Sequence, residues 1–308
     1  MSIDRLQSRI IELNNPTVVG LDPRPEYVPP QILATHIAEH GETLEAAAEA
    51  FYAFNCGLID ALCDIVPAVK PQSAYYEMLG PAGVLVLYKT VAYAKAKGMY
   101  VILDGKRNDI GSTAQAYAEA YLGRVTVGST ELAAFDADSL TVNAYLGSDG
   151  ILPFVETCKQ FDKSIFALVK TSNPSSGELQ DLLCGDQNLY SAVGDLMARI
   201  SQDTIGAYGY SCVGAVVGAT YPSEARALRD RLAHTFFLVP GYGAQGGGAE
   251  DVAPCFDRYG HGAVVNSSRS ILCAWKKTAA GDGSDYQEAA RAEAVRMQAD
   301  IASVIKIS

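Results

Sequence analysis

Long hydrophobic runs are missing from this chain of 308 residues. No apolar stretch approaches the ~18 residues that a membrane-spanning helix needs. The N-terminal MSIDR lacks the apolar segment of a secretory signal. The seven cysteines are odd in number and form no Cys-x-x-Cys pair, which argues against a disulfide framework and against a zinc ribbon. These absences predict a cytoplasmic protein with no membrane partner.

Positive charge is also scarce. Lys and Arg number 24 against 35 Asp and Glu, so the net charge is −11. Nucleic-acid and anionic-membrane surfaces need clustered positive charge, so neither partner is expected. A small anionic ligand stays possible, because a local pocket of N–H groups and one Arg can override the global field. The apolar fraction of 49% is that of a globular chain with a large core.

Eight short, almost continuously apolar runs predict strands buried on both faces of a parallel sheet. Polar residues cluster at the C-terminal ends of these runs, and helical patterns such as 43–65, 82–97 and 285–306 alternate with them. The alternation fits a closed barrel or an open doubly wound sheet. An open sheet concentrates its site at one switch point, whereas here polar residues end nearly all the strands. This spread favours a (β/α)8 TIM barrel, which would form a single domain over 1–308. The predicted strands are 17–22, 68–72, 100–106, 139–145, 165–172, 212–220, 235–243 and 262–269.

The segment VILDGKRNDIGST at 101–113 is the densest in charge. Asp104 and Lys106 are two residues apart at a strand end, so their side chains should point the same way, toward the barrel mouth. Asp109 follows on the outgoing loop. Lys70 ends the preceding strand and should lie beside Asp104. Two ammonium groups and two carboxylates in alternation indicate either a catalytic array or a structural ion-pair network.

A second group of residues indicates a phosphate site. The glycine-rich PGYGAQGGG at 240–248 follows the seventh predicted strand, and Ser268 and Arg269 follow the eighth. Phosphates commonly bind between these two loops in such barrels. Arg269 can offer a bidentate fork and Gln245 an amide donor. A glycine-rich loop alone could equally be a flexible turn, and the Ser-Arg pair favours the phosphate site.

The charged segment closely resembles the signature of orotidine 5′-phosphate decarboxylase. The matching residues are Asp104, Lys106, Arg107, Asp109, Ile110 and Thr113. Further segments resemble the longer, type 2 (mycobacterial-like) branch of that family. They are VGLDPRP at 19–25, VKPQSAYYE at 69–77, TVNAYLG at 141–147, TSNPSSGELQ at 171–180 and PGYGAQGG at 240–247. The resemblance runs from the first predicted strand to the last.

This resemblance implies that orotidine 5′-phosphate loses CO2 to give UMP, the last step of UMP synthesis, without a metal or an organic cofactor. Lys106 would stabilise negative charge at C6 of the pyrimidine and then protonate it, since a fixed ammonium acts strongly in a dry site. Asp104 would lie near the substrate carboxylate, and with Asp109 it would keep Lys106 protonated. Lys70 would hold Asp104 and reach a ribose hydroxyl. Asp109, with its neighbour Ile110, would enter the site of a second subunit.

The resemblance also suggests roles for other residues. Thr113 would join Asp109 and Ile110 in completing the partner's site in a homodimer. Asp22 would contact the ribose, although a turn or helix cap also explains it. Ser172 would contact the pyrimidine, although Ser-Asn-Pro is also a turn sequence. Pro240 would pack beside the base. Asn143 should end its strand facing the pocket, without an assigned role.

Other chemistries receive less support. His36 and His40 are four residues apart, but a third ligand with suitable spacing is not evident, so surface histidines are predicted rather than a metal site. A sugar-phosphate aldolase or isomerase on the same barrel would need a divalent metal, for which Glu77 is the nearest extra carboxylate. A catalytically silent phosphate-binding barrel predicts a broken charged array, whereas here every charged member is present.

Overall fold

The computed structural model describes residues 1–243 and 246–308. Eight parallel strands close into a barrel in which each strand pairs with the next and the last pairs with the first. Two short antiparallel pairs lie outside it, β4 (Val125–Val127) with β5 (Thr130–Leu132) and β8 (Leu183–Cys184) with β9 (Gln187–Asn188). The barrel strands are β1 (Thr17–Leu21), β2 (Ala68–Pro71), β3 (Tyr100–Arg107), β6 (Ser139–Val142), β7 (Ser164–Lys170), β10 (Val213–Val217), β11 (Phe237–Val239) and β12 (Ala263–Ser267).

Helices follow the barrel strands, so the predicted barrel of alternating strands and helices is confirmed. The predicted helices 43–65, 82–97 and 285–306 are present with slightly different bounds. The α-helices are α1 (Ser2–Leu13), α2 (Pro30–His40), α3 (Leu44–Leu62), α4 (Ser73–Glu77), α5 (Gly80–Ala96), α6 (Gly111–Tyr121), α7 (Leu152–Phe161), α8 (Gly177–Gln180), α9 (Leu189–Ile200), α10 (Pro222–Arg231), α11 (Ala249–Val252), α12 (Arg269–Leu272) and α13 (Tyr286–Ala302). Among the described residues no helix combines the length and apolarity needed to cross a membrane.

All eight predicted strands exist, but several end earlier than predicted. β11 stops at Val239 rather than at 243, because Pro240 cannot donate to the ladder and Gly241 and Gly243 take positive φ values of 107° and 74°. β6 stops at Val142 because Asn143 caps a short 3-10 turn, its side-chain oxygen accepting the Tyr145 N–H at 3.0 Å. The polar strand ends therefore belong to the loops of the barrel mouth.

The core has two layers. Inward-facing residues such as Ile102, Phe166 and Val264 fill the barrel, and α1, which the sequence analysis did not predict, covers one end with Ile3 and Leu6. A larger apolar layer lies between the strands and the surrounding helices. Because side chains close the N-terminal end, the opposite end of the barrel is left to carry a site.

Candidate active site

A cavity of about 710 Å³ opens where the strands end. Its described lining includes eight of the predicted site residues: Asp22, Lys70, Asp104, Lys106, Ser172, Pro240, Ser268 and Arg269. Gln245, the amide donor predicted for the phosphate end, lies outside the described residues. The eight come from six different barrel strands or the loops after them, so only barrel closure brings them together.

Asp104 is the centre of the charged array. Its carboxylate is buried and accepts four hydrogen bonds. Oδ2 accepts from Lys70 Nζ at 2.8 Å and from Gln72 Nε2 at 2.9 Å. Oδ1 accepts from Lys106 Nζ at 2.6 Å and from Thr141 Oγ1 at 2.7 Å. An ionised carboxylate offers about four lone-pair directions, so these donors fix its orientation completely.

Neighbouring charges keep Asp104 and Lys70 of the array ionised. Burial alone would raise the pKa of the Asp104 carboxyl, but Lys70 and Lys106 outweigh it and hold that pKa well below its ordinary value. Burial alone would lower the pKa of the Lys70 ammonium, but Asp104 and then Asp22 raise it above its ordinary value. Both groups therefore stay charged throughout the physiological pH range.

Lys106 has an unusual backbone. Its φ is +48°, a left-handed conformation that residues other than glycine rarely adopt. Its side chain is 46% exposed, and its ammonium bonds Asp104 at the cavity wall. The head group thus combines a fixed anionic partner with access to whatever occupies the cavity.

Asp22 provides the second carboxylate that faces Lys70. Its Oδ1 lies 4.0 Å from Lys70 Nζ and is buried without a hydrogen-bond partner in the described part of the chain. A buried acceptor of this kind lowers its free energy when a ligand donates to it. Asp22 therefore fits a ligand group that donates a hydrogen bond.

Another part of the lining comes from residues after β11 and β12, which lie on the far side of the barrel from β3. Pro240 and Gly241 follow β11, and Ser268 and Arg269 follow β12. Gly20 on β1 leaves room for Ser268, because a Cβ there would lie 1.8 Å from the Ser268 Oγ. Arg269 is an exposed residue of this lining, and a guanidinium there suits an anionic group of a ligand.

The comparisons with known proteins agree with this geometry. A sequence model of the orotidine 5′-phosphate decarboxylase / HUMPS family matches residues 18–283. This chain belongs to that family. It is similar to the orotidine 5′-phosphate decarboxylase of Rhodopirellula baltica, with 46% identity over 95% of this chain and 96% of the relative. It is also similar to the orotidine 5′-phosphate decarboxylase of Caldicellulosiruptor bescii, with 42% identity over 89% of this chain and 90% of the relative.

Solved structures give the same assignment. The OMP decarboxylase of Leishmania donovani superposes with a TM-score of 0.71 and 29% identity, covering 98% of both chains. The UMP synthase of the same organism superposes with a TM-score of 0.74 and 30% identity over 98% of this chain and 56% of that one. The chain thus matches decarboxylases of this family over almost its full length.

Three residues of the family signature do not line the cavity. The described lining does not include Asp109, Ile110 or Thr113. The Asp109 carboxylate accepts the N–H of Ile110 at 2.7 Å. Ile110 is 55% exposed, and Thr113 lies exposed on the first turn of α6. In this decarboxylase-family chain the second half of the signature therefore does not line the cavity that the same chain forms.

Asn143 also differs from its prediction, because it does not face the main cavity. It caps the turn after β6 and lines a smaller neighbouring cavity of about 340 Å³ together with Tyr145 and Leu179. The cause is the early end of β6, which turns the chain away before residue 143. This prediction was wrong.

Several lining residues were missed by the sequence analysis. Gln72 and Thr141 bond Asp104, and Gln180 closes the rim through hydrogen bonds with Thr171 at 2.9 and 2.7 Å. The sequence did contain a pattern that predicts the position of Gln72. Gln72 follows Lys70 by two residues, and side chains two residues apart on a strand point to the same face. Gln180 had no such signal, because it follows Thr171 only after a loop and a short helix.

Proposed function

We propose that this chain is an orotidine 5′-phosphate decarboxylase, which converts orotidine 5′-phosphate to UMP and CO2 in the last step of UMP biosynthesis. One observation carries the proposal. Asp104 is buried between Lys70 and Lys106 at the wall of a cavity with an Arg269 guanidinium on its rim. The charged array around Asp104 suits the reacting pyrimidine, and Arg269 suits the phosphate of the nucleotide. The chain is also 46% identical to a relative named for this reaction.

Lys106 carries the chemistry. The bond between C6 and the carboxylate carbon breaks, its electron pair stays on C6, and CO2 leaves. A fixed ammonium stabilises this carbanion far better in a desolvated site than in water. Lys106 Nζ then gives its proton to C6, which yields UMP, and solvent reprotonates the amine. Its exposure to the cavity and its 2.6 Å bond to Asp104 suit both steps.

Asp104 and Lys70 prepare the site for this step. Asp104 keeps its negative charge beside Lys106 and faces the position of the substrate carboxylate. Lys70 is buried, so its ammonium holds Asp104 in one orientation and reaches toward the ribose together with Asp22. These fixed charges need no rearrangement when the reaction begins.

The remaining site residues bind the nucleotide. Ser172 and Pro240 both line the cavity, and we assign them to the pyrimidine. Ser268 and Arg269 bind the phosphate, and Gln245 joins them as an amide donor. Because the phosphate is distant from C6, its binding energy can order the reacting end.

We further infer a homodimer with shared sites, in which Asp109, Ile110 and Thr113 complete the cavity of the partner subunit. The exposure of Ile110 supports this arrangement. So do the apolar side chains of Tyr145 and Leu146 just after β6, which are 76% and 48% exposed. Apolar side chains exposed at the carboxyl ends of the strands fit a contact with a second subunit.

The finer assignments follow from the same residues. The segments around β1, β2, β6, β7 and β11 support our assignment to the type 2 (mycobacterial-like) branch, and we assign the whole of 1–308 to one catalytic domain. All seven cysteines are free thiols. Free thiols fit a reducing compartment, and we place the enzyme in the cytoplasm.

A metal-dependent aldolase or isomerase is the alternative to test. Its extra carboxylate, Glu77, is bonded to Arg107 and is absent from the described lining of the cavity. The experiment measures the loss of orotidine 5′-phosphate in excess EDTA. Full activity is expected. Activity that disappears with EDTA, or turnover of a hexulose phosphate that a divalent metal restores, would favour the alternative.

A further inference from the structure

We infer that Thr141 is a positioning residue for both charged partners of the decarboxylation, an inference that rests on the proposed function. Thr141 lies on β6 and is 1% exposed. Its hydroxyl accepts the backbone N–H of Lys106 at 2.9 Å and donates to Asp104 Oδ1 at 2.7 Å. One hydroxyl group therefore connects the backbone of the cation to the carboxylate of the anion.

The strand pairing explains why a hydroxyl is needed there. Leu103 pairs with Leu140, but the next pair is Arg107 with Val142, so β3 advances four residues where β6 advances two. The extra residues of β3 bulge away from the ladder. The N–H of Lys106 then lacks a backbone carbonyl on β6, and the Thr141 hydroxyl takes that place.

This bond also supports the left-handed backbone of Lys106. A conformation with φ of +48° is unfavourable for lysine and persists only where its surroundings fix it. The conformation directs the ammonium back to Asp104 Oδ1, the same oxygen that Thr141 bonds. Loss of the hydroxyl leaves an N–H unpaired and one carboxylate position unfilled, so the spacing of ammonium and carboxylate is no longer fixed.

Two variants separate the hydroxyl from the shape of the side chain. Thr141→Val keeps the volume and removes the hydroxyl, whereas Thr141→Ser keeps the hydroxyl. We expect kcat of Thr141→Val to fall about 100-fold, the effect of a small misplacement at a reacting centre. The affinity for UMP should stay close to that of the wild type, and Thr141→Ser should recover most of the activity. Thr157→Val is the matched control, since Thr157 is buried on α7 away from the cavity.

Several results would overturn the inference. They are wild-type kcat in Thr141→Val, equal impairment of Thr141→Ser and Thr141→Val, or an equal loss of kcat in Thr157→Val. A loss of UMP affinity as large as the loss of kcat would instead assign Thr141 to binding. An inactive wild-type protein would contradict the proposed function itself, so the two failures are distinguishable.

A separate observation carries a second inference: the geometry points to a site for one Zn²⁺-type cation on α2. His36, Glu39 and His40 lie on one face of the helix, and one ligand atom of each falls within 4.8 Å of the others. Glu39 Oε2 is 3.7 Å from His36 Nδ1 and 3.8 Å from His40 Nε2. Glu39, three residues after His36, supplies the third ligand, which the spacing of the two histidines alone did not reveal.

The spacing suits a metal better than a hydrogen bond. Both distances exceed a hydrogen bond, and His36 Nδ1 is buried without a partner among residues 1–243 and 246–308. Zinc–ligand bonds of about 2.0–2.2 Å place tetrahedral ligand atoms roughly 3.3–3.5 Å apart, so small side-chain movements close the site around an ion. Water would fill the fourth position.

The position on the helix favours a cation as well. His40 is the last residue of α2, and the carbonyl groups of a helix C-terminus carry partial negative charge. The chain has a net charge of −11, which attracts cations in general. The three ligands are absent from the described lining of the main cavity, so the ion would act on the stability of α2 rather than on catalysis.

Calorimetric titration with ZnCl2 tests this site. The wild type should bind one ion per chain, and His36→Ala and His40→Ala should bind at least about tenfold more weakly. His234→Ala is the matched control. The His234 ring contacts the Gly209 carbonyl, and both residues are distant from α2 in the sequence. ZnCl2 should raise the unfolding temperature of the wild type and of His234→Ala alone. No binding by the wild type, or unchanged binding by the His36→Ala His40→Ala double variant, would refute the site.

Discussion

Replacing Asp104 by Asn is the most informative single change at this site. The substitution keeps the size of the side chain and removes the charge that lies 2.8 Å from Lys70 and 2.6 Å from Lys106. Lys70 is buried, and its remaining carboxylate, Asp22, is 4.0 Å away. Removing one partner from a buried ion pair typically costs about 3–5 kcal/mol, because the other charge stays buried without compensation.

The expected shift in unfolding temperature follows from the size of the chain. At about 2.1 cal/mol/K per residue, unfolding 308 residues carries an entropy of about 0.65 kcal/mol/K. A loss of about 3–5 kcal/mol therefore lowers Tm by roughly 5–8 °C. Circular dichroism recorded during heating measures this change in Tm. Asp64→Asn is the matched control, because Asp64 pairs with Arg291 on the surface, where such pairs contribute about 0–1 kcal/mol.

The pH dependence of this difference has a definite sign. Because the pKa of folded Asp104 lies below its ordinary value of 3.8, its ionised form stabilises the folded state above that value. The contribution declines only as pH falls below 3.8 toward the folded pKa. The Tm difference between wild type and Asp104→Asn should therefore be constant from about pH 5 to about pH 8 and shrink in stronger acid.

The same variant tests catalysis. We expect kcat to fall at least about 100-fold, the scale for losing one preorganised electrostatic group. A Tm equal to that of the wild type or higher would show that Asp104 does not hold Lys70. Unchanged kcat would show that its charge plays no part in the reaction. Either result would refute the account of the charged array.

Four further outcomes are expected. Lys106→Ala should abolish turnover measured by CO2 release while keeping most of the affinity for UMP; near-wild-type turnover would contradict its role. Arg269→Ala should raise KM by about 30-fold or more, equivalent to about 2 kcal/mol or more, with a smaller change in kcat, and an unchanged KM would remove it from the phosphate site. Mixing inactive Asp109→Ala and Lys106→Ala chains should restore part of the activity, whereas no recovery after proven subunit exchange would argue for self-contained sites. Iodoacetamide at about pH 8 should alkylate the exposed Cys184 in the native protein before Cys255, whose pKa burial raises to about 12, as peptide mass spectrometry would show; the reverse order would contradict the burial of Cys255.

The strands and the charged signature could be read from the sequence. Barrel strands are buried on both faces, so each appears as a continuous apolar run that ends in polar residues. Asp104 and Lys106 share a strand, and alternation along a strand is a local property. Lys70 required one further step, the expectation that consecutive strands are neighbours. The 2.8 Å contact between Lys70 and Asp104 confirms that step.

Contacts between distant segments could not be read in this way. The role of Thr141 depends on a shift in register between β3 and β6, and a register shift leaves no mark on local hydrophobic pattern. The outward position of Ile110 depends on where α6 begins. The first helix, in contrast, was overlooked although it carries a local signal, because its buried residues Ile3, Leu6 and Ile10 recur at helical spacing.

The sequence by itself thus determined the kind of barrel, the family and the residue types of its chemistry, because these are local patterns repeated along the chain. Only the tertiary structure decided how those residues meet. It gave Asp104 its four donors, kept Asp109 and Thr113 out of the lining of the cavity, and turned Asn143 away from that cavity. The physical reason is that hydrogen-bond geometry depends on strand register and on loop direction, and packing of the whole barrel sets both.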